Sequence, residues 1–378
     1  MKKNMAIMWL SGVIVSAAAL YFAFRHVPLK DLLRYLASID YFWVLPSVLL
    51  VLGGYILRAY RWQIILGSTH RIGFWDAFHP LMIGFMVNCV LPGRVGEVVR
   101  PVILQRKAAI PFTTGLATVA VERVFDMALL IILLAATLAV NEINPELNII
   151  VGDHHLNHTT LKAVFTGFVQ LGLLLIMGII MLGIRPTRGV IQRIIQGLPS
   201  LFFFAGTRCK MKIRQKLSEP LRQAVENIAL GFGLINRPPQ MLTCAVMTIL
   251  IWSLNAFAFY AFALGCPGID LTLAEITTVM IIICFFIALP SVPGWWGLWE
   301  AGGVFALSLF GIAAQDAAGY TLANHALQVF PVILVGLGSA MIAGVSIWRL
   351  SYESVAVNKP RSALPPSYSL SRPEGERN

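Results

Sequence analysis

The chain has little charge for its length. Asp, Glu, Lys and Arg make up 12% of its 378 residues, whereas hydrophobic residues make up 57%. A soluble domain carries about 25% charged residues, so this composition excludes an ordinary soluble protein. Apolar runs long enough to cross a bilayer recur along the chain, which predicts an all-α polytopic membrane protein. The continuous apolar run from Leu171 to Ile184 excludes the alternating pattern of a β-barrel.

Signatures of several soluble activities are also missing. The five cysteines form no CxxC pair, which argues against a disulfide framework or a cysteine-based zinc site. No phosphate-binding P-loop, GxSxG elbow or HExxH motif occurs, so we predict neither an ATPase nor a hydrolase, no catalytic residues and no cofactor. The stretch from Asp153 to His158 is a weak metal-binding pattern, and we predict no resident metal. The net charge of +11 is typical of basic cytoplasmic loops and predicts no nucleic-acid partner.

Six apolar segments are predicted to span the membrane, and two others are interrupted. The predicted spans are residues 6–24, 43–66, 112–140, 160–184, 240–265 and 318–348. The interrupted pairs are 76–91 with 95–107 and 272–290 with 298–313, which form either re-entrant hairpins or short tilted spans. The first apolar segment follows two lysines, as in a signal peptide, but its run of about 18 residues favours an uncleaved helix.

The distribution of basic residues predicts the orientation in the membrane. Residues 185–239 contain ten Lys and Arg, whereas residues 141–160 contain none. The first segment is therefore predicted to be cytoplasmic and the second external, which places both termini in the cytoplasm. Residues 349–378 are predicted to form a disordered cytoplasmic tail. Residues 25–42 carry basic residues on the external side, and their leucines at helical spacing predict a helix on the membrane surface.

Two proline–glycine breaks lie at matching places in the chain, about 200 positions apart, and such pairs mark substrate sites between broken transporter helices. The predicted turn residues are Pro92, Gly93, Gly96, Pro293, Gly294 and Gly297. Each half has the order span, span, hairpin, span, starting from opposite sides of the membrane. This order predicts an inverted-topology repeat, with residues 1–184 as the first repeat, 185–239 as a basic amphipathic linker and 240–348 as the second repeat.

Polar side chains cluster beside these breaks. The candidate substrate-binding residues are Asn88, Arg94, Glu97, Arg100, Glu122, Arg123, Asp126, Glu300 and His325. Each charge inside the apolar layer costs roughly 2.5–3.5 kcal/mol, so such groups pair with one another or face a cavity. Arginines bind phosphate through paired donors, and carboxylates hold the arginines in place or accept an amine. The alternative is a structural network of salt bridges that ties two helices together.

Other polar and aromatic residues near these segments have simpler explanations. Arg58 and Arg61 are expected to extend towards the membrane interface from the inner end of their helix. Trp295, Trp296 and Trp299 either anchor the membrane interface or line a path for lipid.

The stretch from Asn88 to Arg100, followed by Glu122-Arg123 and Asp126, resembles the lysylphosphatidylglycerol synthase transmembrane (flippase-like) family. The family pattern is N-x-x-x-P-x-R-x-G-E-x-x-R, followed by E-R-x-x-D, and this chain matches it. Its later Pro293-Gly294, Gly297 and Glu300 look like the second family signature, although bulky tryptophans stand between the glycines. The resemblance covers about residues 5–348. The synthases also have a large soluble catalytic domain, which this chain is expected to lack, and we expect no aminoacyl transfer.

The resemblance implies a multi-pass protein of the bacterial inner membrane that is associated with lipid movement between leaflets. The resulting hypothesis is a lipid translocase that binds an anionic or zwitterionic headgroup between the two hairpins and rocks to expose it alternately. The alternative is a non-transporting membrane anchor or regulatory partner of a lipid-modifying or envelope-assembly enzyme, with residues 185–239 as its docking surface. A homodimer is a further open alternative.

Overall fold

The structure is a computed structural model of the chain. It describes residues 13–67, 70–91, 94–140, 238–289 and 292–345, apart from Phe22 and His26, with short pieces between residues 149 and 218. Pro92 and Gly93 lie outside the described residues, as does the predicted tail. Most of the predicted span at 160–184 and most of the basic linker also lie outside them.

Helices make up nearly all of the described chain. Residues 13–21 are helical, and the helices that follow are α1 (Leu29–Ser38), α2 (Val44–Leu66), α3 (Phe74–Val90), α4 (Gly96–Ala108), α5 (Phe112–Val140), α6 (Pro238–Leu264), α7 (Leu273–Phe286), α8 (Leu298–Ser308) and α9 (Ala314–Ile342). One element was not predicted: β1 (Ile149–Val151) pairs antiparallel with β2 (His154–Leu156). The β-branched run of β1 favours a strand where the apolar segment is too short for a helix.

Within the described residues, three helical segments are long and apolar enough to cross a membrane. They are Tyr41–Leu66, Pro238–Leu264 and Ala314–Ile342. The predicted class of helical membrane protein is therefore confirmed. The helix α5 has 29 residues but carries three charged side chains in its middle. The helices α3, α4, α7 and α8 have 17, 13, 14 and 11 residues, each shorter than a straight span of about 20.

The amphipathic helix α1 packs on α9. Leu32 and Tyr35 are buried, whereas Leu29 and Leu33 on the other side are exposed. The Tyr35 ring occupies the space where a Cβ on Gly319 would lie, and its hydroxyl donates a hydrogen bond to the Pro267 carbonyl at 2.9 Å. The helix predicted in residues 25–42 is therefore confirmed, and its position on the membrane surface stays a prediction.

The helices α2 and α6 pack against each other in antiparallel directions. Arg61 of α2 contacts Thr248 of α6, and Gly54 lies beside Asn255, so residue numbers rise along one helix as they fall along the other. Corresponding helix pairs then contact in each half: α2–α3, α3–α4 and α4–α5 in the first, and α6–α7, α7–α8 and α8–α9 in the second. The main core lies among α6, α7, α8 and α9, with a second cluster between α2 and α3.

A close backbone contact holds α3 against α4. A Cβ on Gly96 would overlap the Gly84 carbonyl oxygen, and a Cβ on Gly84 would collide with the side chain of Arg100. Glycine at both positions therefore lets the two helices approach closely.

Candidate functional site

A cavity of about 180 Å³ lies where the two halves meet, and helices α2 to α9 all contribute to its wall. Its polar lining consists of Arg58, Asn88, Arg94, Glu97, Arg123, Asn255 and Gln328. Aromatic side chains cover much of the remaining wall, including Trp295 and Trp299. The candidate site therefore combines three guanidinium groups and one carboxylate with an apolar surround.

The first break directs Arg94 towards the second half. Arg94 has the left-handed backbone angle φ of 54°, which is unfavourable for a residue with a Cβ. Its Nη2 donates a hydrogen bond to the Ile287 carbonyl at 3.0 Å. The Asn88 Oδ1 accepts the Gly96 backbone N–H at 2.7 Å, which satisfies a free donor at the start of α4. Asn88 thus fixes the turn that holds Arg94.

The second break has a comparable geometry. Gly294, Trp295 and Gly297 have φ values of 69°, 60° and 90°. Trp295 occupies the same place after its proline as Arg94 does after Pro92, and both residues are left-handed. The Glu300 Oε2 accepts the Gly297 N–H at 2.7 Å, as Asn88 does for Gly96. A side-chain oxygen therefore caps the helix that follows each break.

Glu300 and His325 form a fully buried pair behind the cavity wall. The distance from His325 Nδ1 to Glu300 Oε1 is 2.6 Å, and that from His325 Nε2 to the Gly294 carbonyl oxygen is 2.7 Å. Each ring nitrogen faces an oxygen, and each of these two contacts needs one proton. The imidazole and the carboxyl together therefore carry two protons. The rings of Trp296 and Trp299 pack on the imidazole with centroid distances of 4.4 and 4.7 Å. Neither Glu300 nor His325 lines the cavity.

Asp126 of α5 is shared by several donors. Arg61 Nη1 donates to its Oδ1 at 2.7 Å and also lies 2.7 Å from the Thr248 hydroxyl. Arg58 and Arg123 lie 3.5 and 3.4 Å from its Oδ2. Trp252 Nε1 donates to its Oδ1 at 3.2 Å. This carboxylate therefore joins α2, α5 and α6.

Glu122, one turn earlier on α5, forms a second buried ion pair. Arg100 Nη2 donates to its Oε2 at 2.7 Å, and Arg61 Nη2 lies 3.8 Å from its Oε1. The Arg100 guanidinium also lies over the Trp62 ring, 4.1 Å from its centroid. Arg100 and Glu122 are buried and do not line the cavity. The two interpretations of the polar cluster therefore coexist: some members form a structural network and others face the cavity.

The expected positions of Arg58 and Arg61 are wrong. Arg61 is fully buried and Arg58 is 8% exposed, so neither side chain extends to an interface. Both lie on the face of α2 that packs against α5 and α6, where the two carboxylates of α5 attract them. The sequence contained one signal for this arrangement. The intramembrane acids Glu122 and Asp126 need cationic partners, and the i,i+3 spacing of the two arginines puts both on one helical face.

The structure brings four of the nine predicted binding residues to the cavity, namely Asn88, Arg94, Glu97 and Arg123. It adds Arg58, which the sequence analysis did not assign to the site. Trp295 and Trp299 also line the cavity, whereas Trp296 packs on His325. In the histidine-rich stretch from Asp153 to His158, His154 and His155 belong to β2, and Asp153, Asn157 and His158 lie outside the described residues.

Comparisons with known proteins bear on the whole chain. It is 25% identical over 374 residues to the glycosyltransferase AglD of Haloferax volcanii, and the match covers 92% of this chain and 56% of AglD. The chain thus spans just over half the length of that relative. No solved structure matches it. Residues 9–336 match the family described as the lysylphosphatidylglycerol synthase TM region. With most of its length inside that match, the chain belongs to the lysylphosphatidylglycerol synthase TM region family.

Proposed function

We propose that this protein moves a phospholipid or lipid-linked headgroup between the two leaflets of a membrane, with the headgroup bound in the central cavity. The observation that carries the proposal is the cavity wall itself, where the guanidinium groups of Arg58, Arg94 and Arg123 surround a space beside Glu97. Charged side chains that face a cavity inside a membrane protein commonly mark the path of a polar substrate. The apolar remainder of the wall suits the first carbons of the lipid tails.

The cavity residues have distinct roles in this proposal. Arg58, Arg94 and Arg123 bind the phosphate, because planar guanidinium donors match phosphate oxygens. Glu97 contacts an amine when the headgroup carries one. Arg100, Glu122 and Asp126 hold the arginine-bearing helices in place, and Glu300 with His325 holds the second break. In this arrangement Arg100 acts indirectly, although its position in the motif suggested direct binding of phosphate.

Alternating exposure of the cavity requires two halves that move against each other. We include in the proposal the inverted-topology repeat with six full spans and two hairpins. The corresponding helix contacts in the two halves support it, as do the left-handed residues Arg94 and Trp295 at equivalent places. Rocking about the antiparallel α2–α6 contact would open the cavity to one leaflet and then to the other. The protein would then act as a transporter and not as an enzyme.

The proposed location is the bacterial inner membrane, with both termini in the cytoplasm. The ten basic residues of the linker at 185–239 support this orientation. The family is named after a lipid-modifying synthase region, which supports a role with membrane lipids.

Reconstitution into liposomes with a fluorescent phospholipid tests the proposal. The wild type should accelerate movement of the lipid between leaflets, and Arg123→Gln should slow it by about tenfold, because one charge-assisted contact to phosphate is lost. Lys107→Gln is the matched control, since Lys107 is exposed at the end of α4 and outside the cavity. Equal rates for the wild type and protein-free liposomes would reject the proposal, as would an unchanged rate in folded Arg123→Gln protein.

A second candidate function is that of a membrane partner for an enzyme that acts on lipid-linked substrates. It is favoured by the match to AglD, which is named a glycosyltransferase and extends well beyond the region similar to this chain. The basic linker at 185–239 would then be the docking surface. Purification from native membranes should recover a stoichiometric enzyme that is lost when the linker is deleted. Recovery of the protein alone, with lipid movement intact in liposomes, would reject this candidate.

A further inference from the structure

We infer that the cavity takes a phosphate group with two negative charges, as in a phosphate monoester at the end of a lipid headgroup. This inference rests on the proposed function and narrows its substrate class. It excludes zwitterionic headgroups and singly charged phosphodiesters as the preferred ligands. A phosphate monoester carries about −1.5 to −2 charges at neutral pH, whereas a phosphodiester carries one.

The side chains around α5 carry an excess of positive charge. Four arginines lie within 4 Å of two carboxylates, and among the residues that the structure describes these are the only two carboxylates so close to them. The arginines are Arg58, Arg61, Arg100 and Arg123, and the carboxylates are those of Glu122 and Asp126, which leaves an excess of two positive charges. All of these side chains except Arg123 are buried. Uncompensated charge is expensive in a membrane interior, so a ligand with opposite charge is expected to bind there.

Distances between the side chains identify the arginines that carry the excess positive charge. Arg61 and Arg100 each donate to a carboxylate at 2.7 Å, so these two account for Asp126 and Glu122. Arg58 and Arg123 only approach the Asp126 Oδ2 at 3.5 and 3.4 Å, and that oxygen accepts no hydrogen bond among the described residues. Their guanidinium donors therefore remain available to a ligand.

These two arginines both face the cavity. Arg94 adds a third guanidinium to the wall, and Glu97 is the only acidic side chain among the described residues that line it. Arg94 and Glu97 offset each other in charge, so the wall keeps the excess of two from Arg58 and Arg123. A phosphate dianion would neutralise this excess. A phosphodiester would leave one positive charge, and a zwitterion would leave both.

Aromatic rings hold Arg58 in place without neutralising it. Its guanidinium carbon lies 5.4 Å from the ring centroid of Trp252, 5.8 Å from that of Phe85 and 5.9 Å from that of Tyr55. Such contacts orient the planar group and exclude water from it. A desolvated and oriented guanidinium is suited to bidentate binding of phosphate oxygens.

A charge series of lipids tests the inference. The purified protein in nanodiscs is exposed to phosphatidate, to its monomethyl ester phosphatidylmethanol and to phosphatidylethanolamine, and bound lipid is measured by native mass spectrometry. Phosphatidate and its methyl ester differ by one methyl group and one charge. We expect phosphatidate to bind about tenfold more tightly than the ester, because the ester loses one charged contact. Phosphatidylethanolamine should bind most weakly. Equal binding of the first two lipids would overturn the inference.

Variants connect the preference to the cavity. Arg123→Gln should remove most of the difference between phosphatidate and its methyl ester, whereas Lys107→Gln should retain it. A difference that is unchanged in folded Arg123→Gln protein would overturn the assignment to this cavity. Circular dichroism and the thermal midpoint of each variant establish that it is folded.

Inorganic phosphate separates the two sources of a phosphate dianion. Failure of millimolar phosphate to displace phosphatidate supports a lipid ligand. Displacement by phosphate together with no lipid movement in liposomes supports the dianion site and contradicts the lipid substrate of the proposed function. Conversely, lipid movement in liposomes without any preference for phosphatidate would support the proposed function and overturn this inference alone.

Discussion

The carboxylates of Glu122 and Asp126 each serve more than one arginine. Removing one partner of such a buried pair leaves an uncompensated charge, which costs more than the pair itself contributes. Arg61 is the most connected of the arginines, because it contacts both carboxylates and the Thr248 hydroxyl while being fully buried. We therefore regard Arg61 as the residue that holds α2, α5 and α6 together at the cavity.

Arg61→Met should destabilise the protein strongly, by about 3–5 kcal/mol, because it breaks a fully buried ion pair and removes the 2.7 Å hydrogen bond to Asp126 Oδ1. Thermal unfolding in detergent, followed by intrinsic fluorescence, measures the effect. Lys107→Gln, on an exposed part of α4, should change stability by less than about 0.5 kcal/mol. A wild-type unfolding midpoint for Arg61→Met would show that the network contributes nothing to stability.

The pair of Glu300 and His325 permits a sharper comparison. Glu300→Gln keeps an acceptor for the Gly297 N–H and offers an amide donor to His325 Nδ1, so its stability should stay near that of the wild type. Glu300→Leu leaves two buried groups unpaired, at a cost of about 1–3 kcal/mol each. The unfolding midpoints of the two variants should therefore differ widely. If the two variants have the same unfolding midpoint, the hydrogen bonds of Glu300 do not hold the second break.

At the residue scale, the sequence predicted which groups are polar in the membrane but not which of them meet. The family motif contains Arg94, Glu97, Arg100 and Arg123 without distinction. The structure separates Arg100, buried over Trp62, from the three that face the cavity. Arg58 was missed because a basic residue near a helix end has the same appearance whether it extends to water or turns inward. Only the packing of α2 against α5 and α6 decides between these outcomes.

At the scale of elements, the two breaks determine how the short helices meet. The helices α3 and α4 contact at glycines, and α8 contacts α7 through Gly302, where a Cβ would lie 2.9 Å from Phe286. Both hairpins therefore depend on the absence of a side chain at the contact. Glycine at these positions trades helix propensity for close packing.

Gly96→Ala should separate α3 from α4, because the new Cβ would overlap the Gly84 carbonyl and lie 2.6 Å from Asn88 Oδ1. We expect a loss of about 1–3 kcal/mol in stability, typical of overpacking, together with reduced lipid movement. Gly338→Ala in α9 is the matched control, since no atom lies within 4 Å of its added Cβ, and it should gain up to about 1 kcal/mol. Similar thermal midpoints for the two variants would contradict the close contact.

Apolar runs and Gly/Pro breaks predicted the helix boundaries more closely than they predicted the contacts between helices. Residues 43–66 were predicted as a span, and α2 is Val44–Leu66. The legs of the second hairpin end earlier than predicted, at Phe286 and Ser308. The apolar pattern continues through residues 287–289 and 309–313, where turns replace the helix, so hydropathy alone could not locate these ends. The β1–β2 hairpin was missed because three-residue strands leave almost no periodic pattern.

At the scale of the whole molecule, the proposed inverted repeat and the orientation make a prediction about the loops. Thr159→Cys, in the segment proposed to be external, should react with a membrane-impermeant maleimide in intact cells. The native Cys209, in the basic linker, should react only after the membrane is opened. A Cys284→Ser background removes a partly exposed thiol of the cavity, and Cys89, Cys244 and Cys266 are buried. Labelling of Cys209 in intact cells would contradict the proposed orientation.

The antiparallel contact between α2 and α6 and the central cavity are properties of the whole molecule that the sequence did not predict in detail. The matching breaks predicted that the two halves meet at a polar site. The residues of α2 and α6 that complete this site, Arg58, Trp252 and Asn255, carry no motif. They reach the cavity because the two halves pack across it, and such long-range packing leaves little trace in local patterns.

The central claim is that a lipid headgroup occupies the cavity between the halves. The most direct measurement is a cryo-electron microscopy structure of the protein in phosphatidate-containing nanodiscs, with an antibody fragment bound to enlarge the particle. We predict phosphate density within hydrogen-bonding distance, about 2.7–3.2 Å, of Arg58, Arg94 and Arg123 in the wild type, and its loss in Arg123→Gln. An empty cavity in the wild type, or headgroup density elsewhere that Arg123→Gln leaves unchanged, would contradict the account.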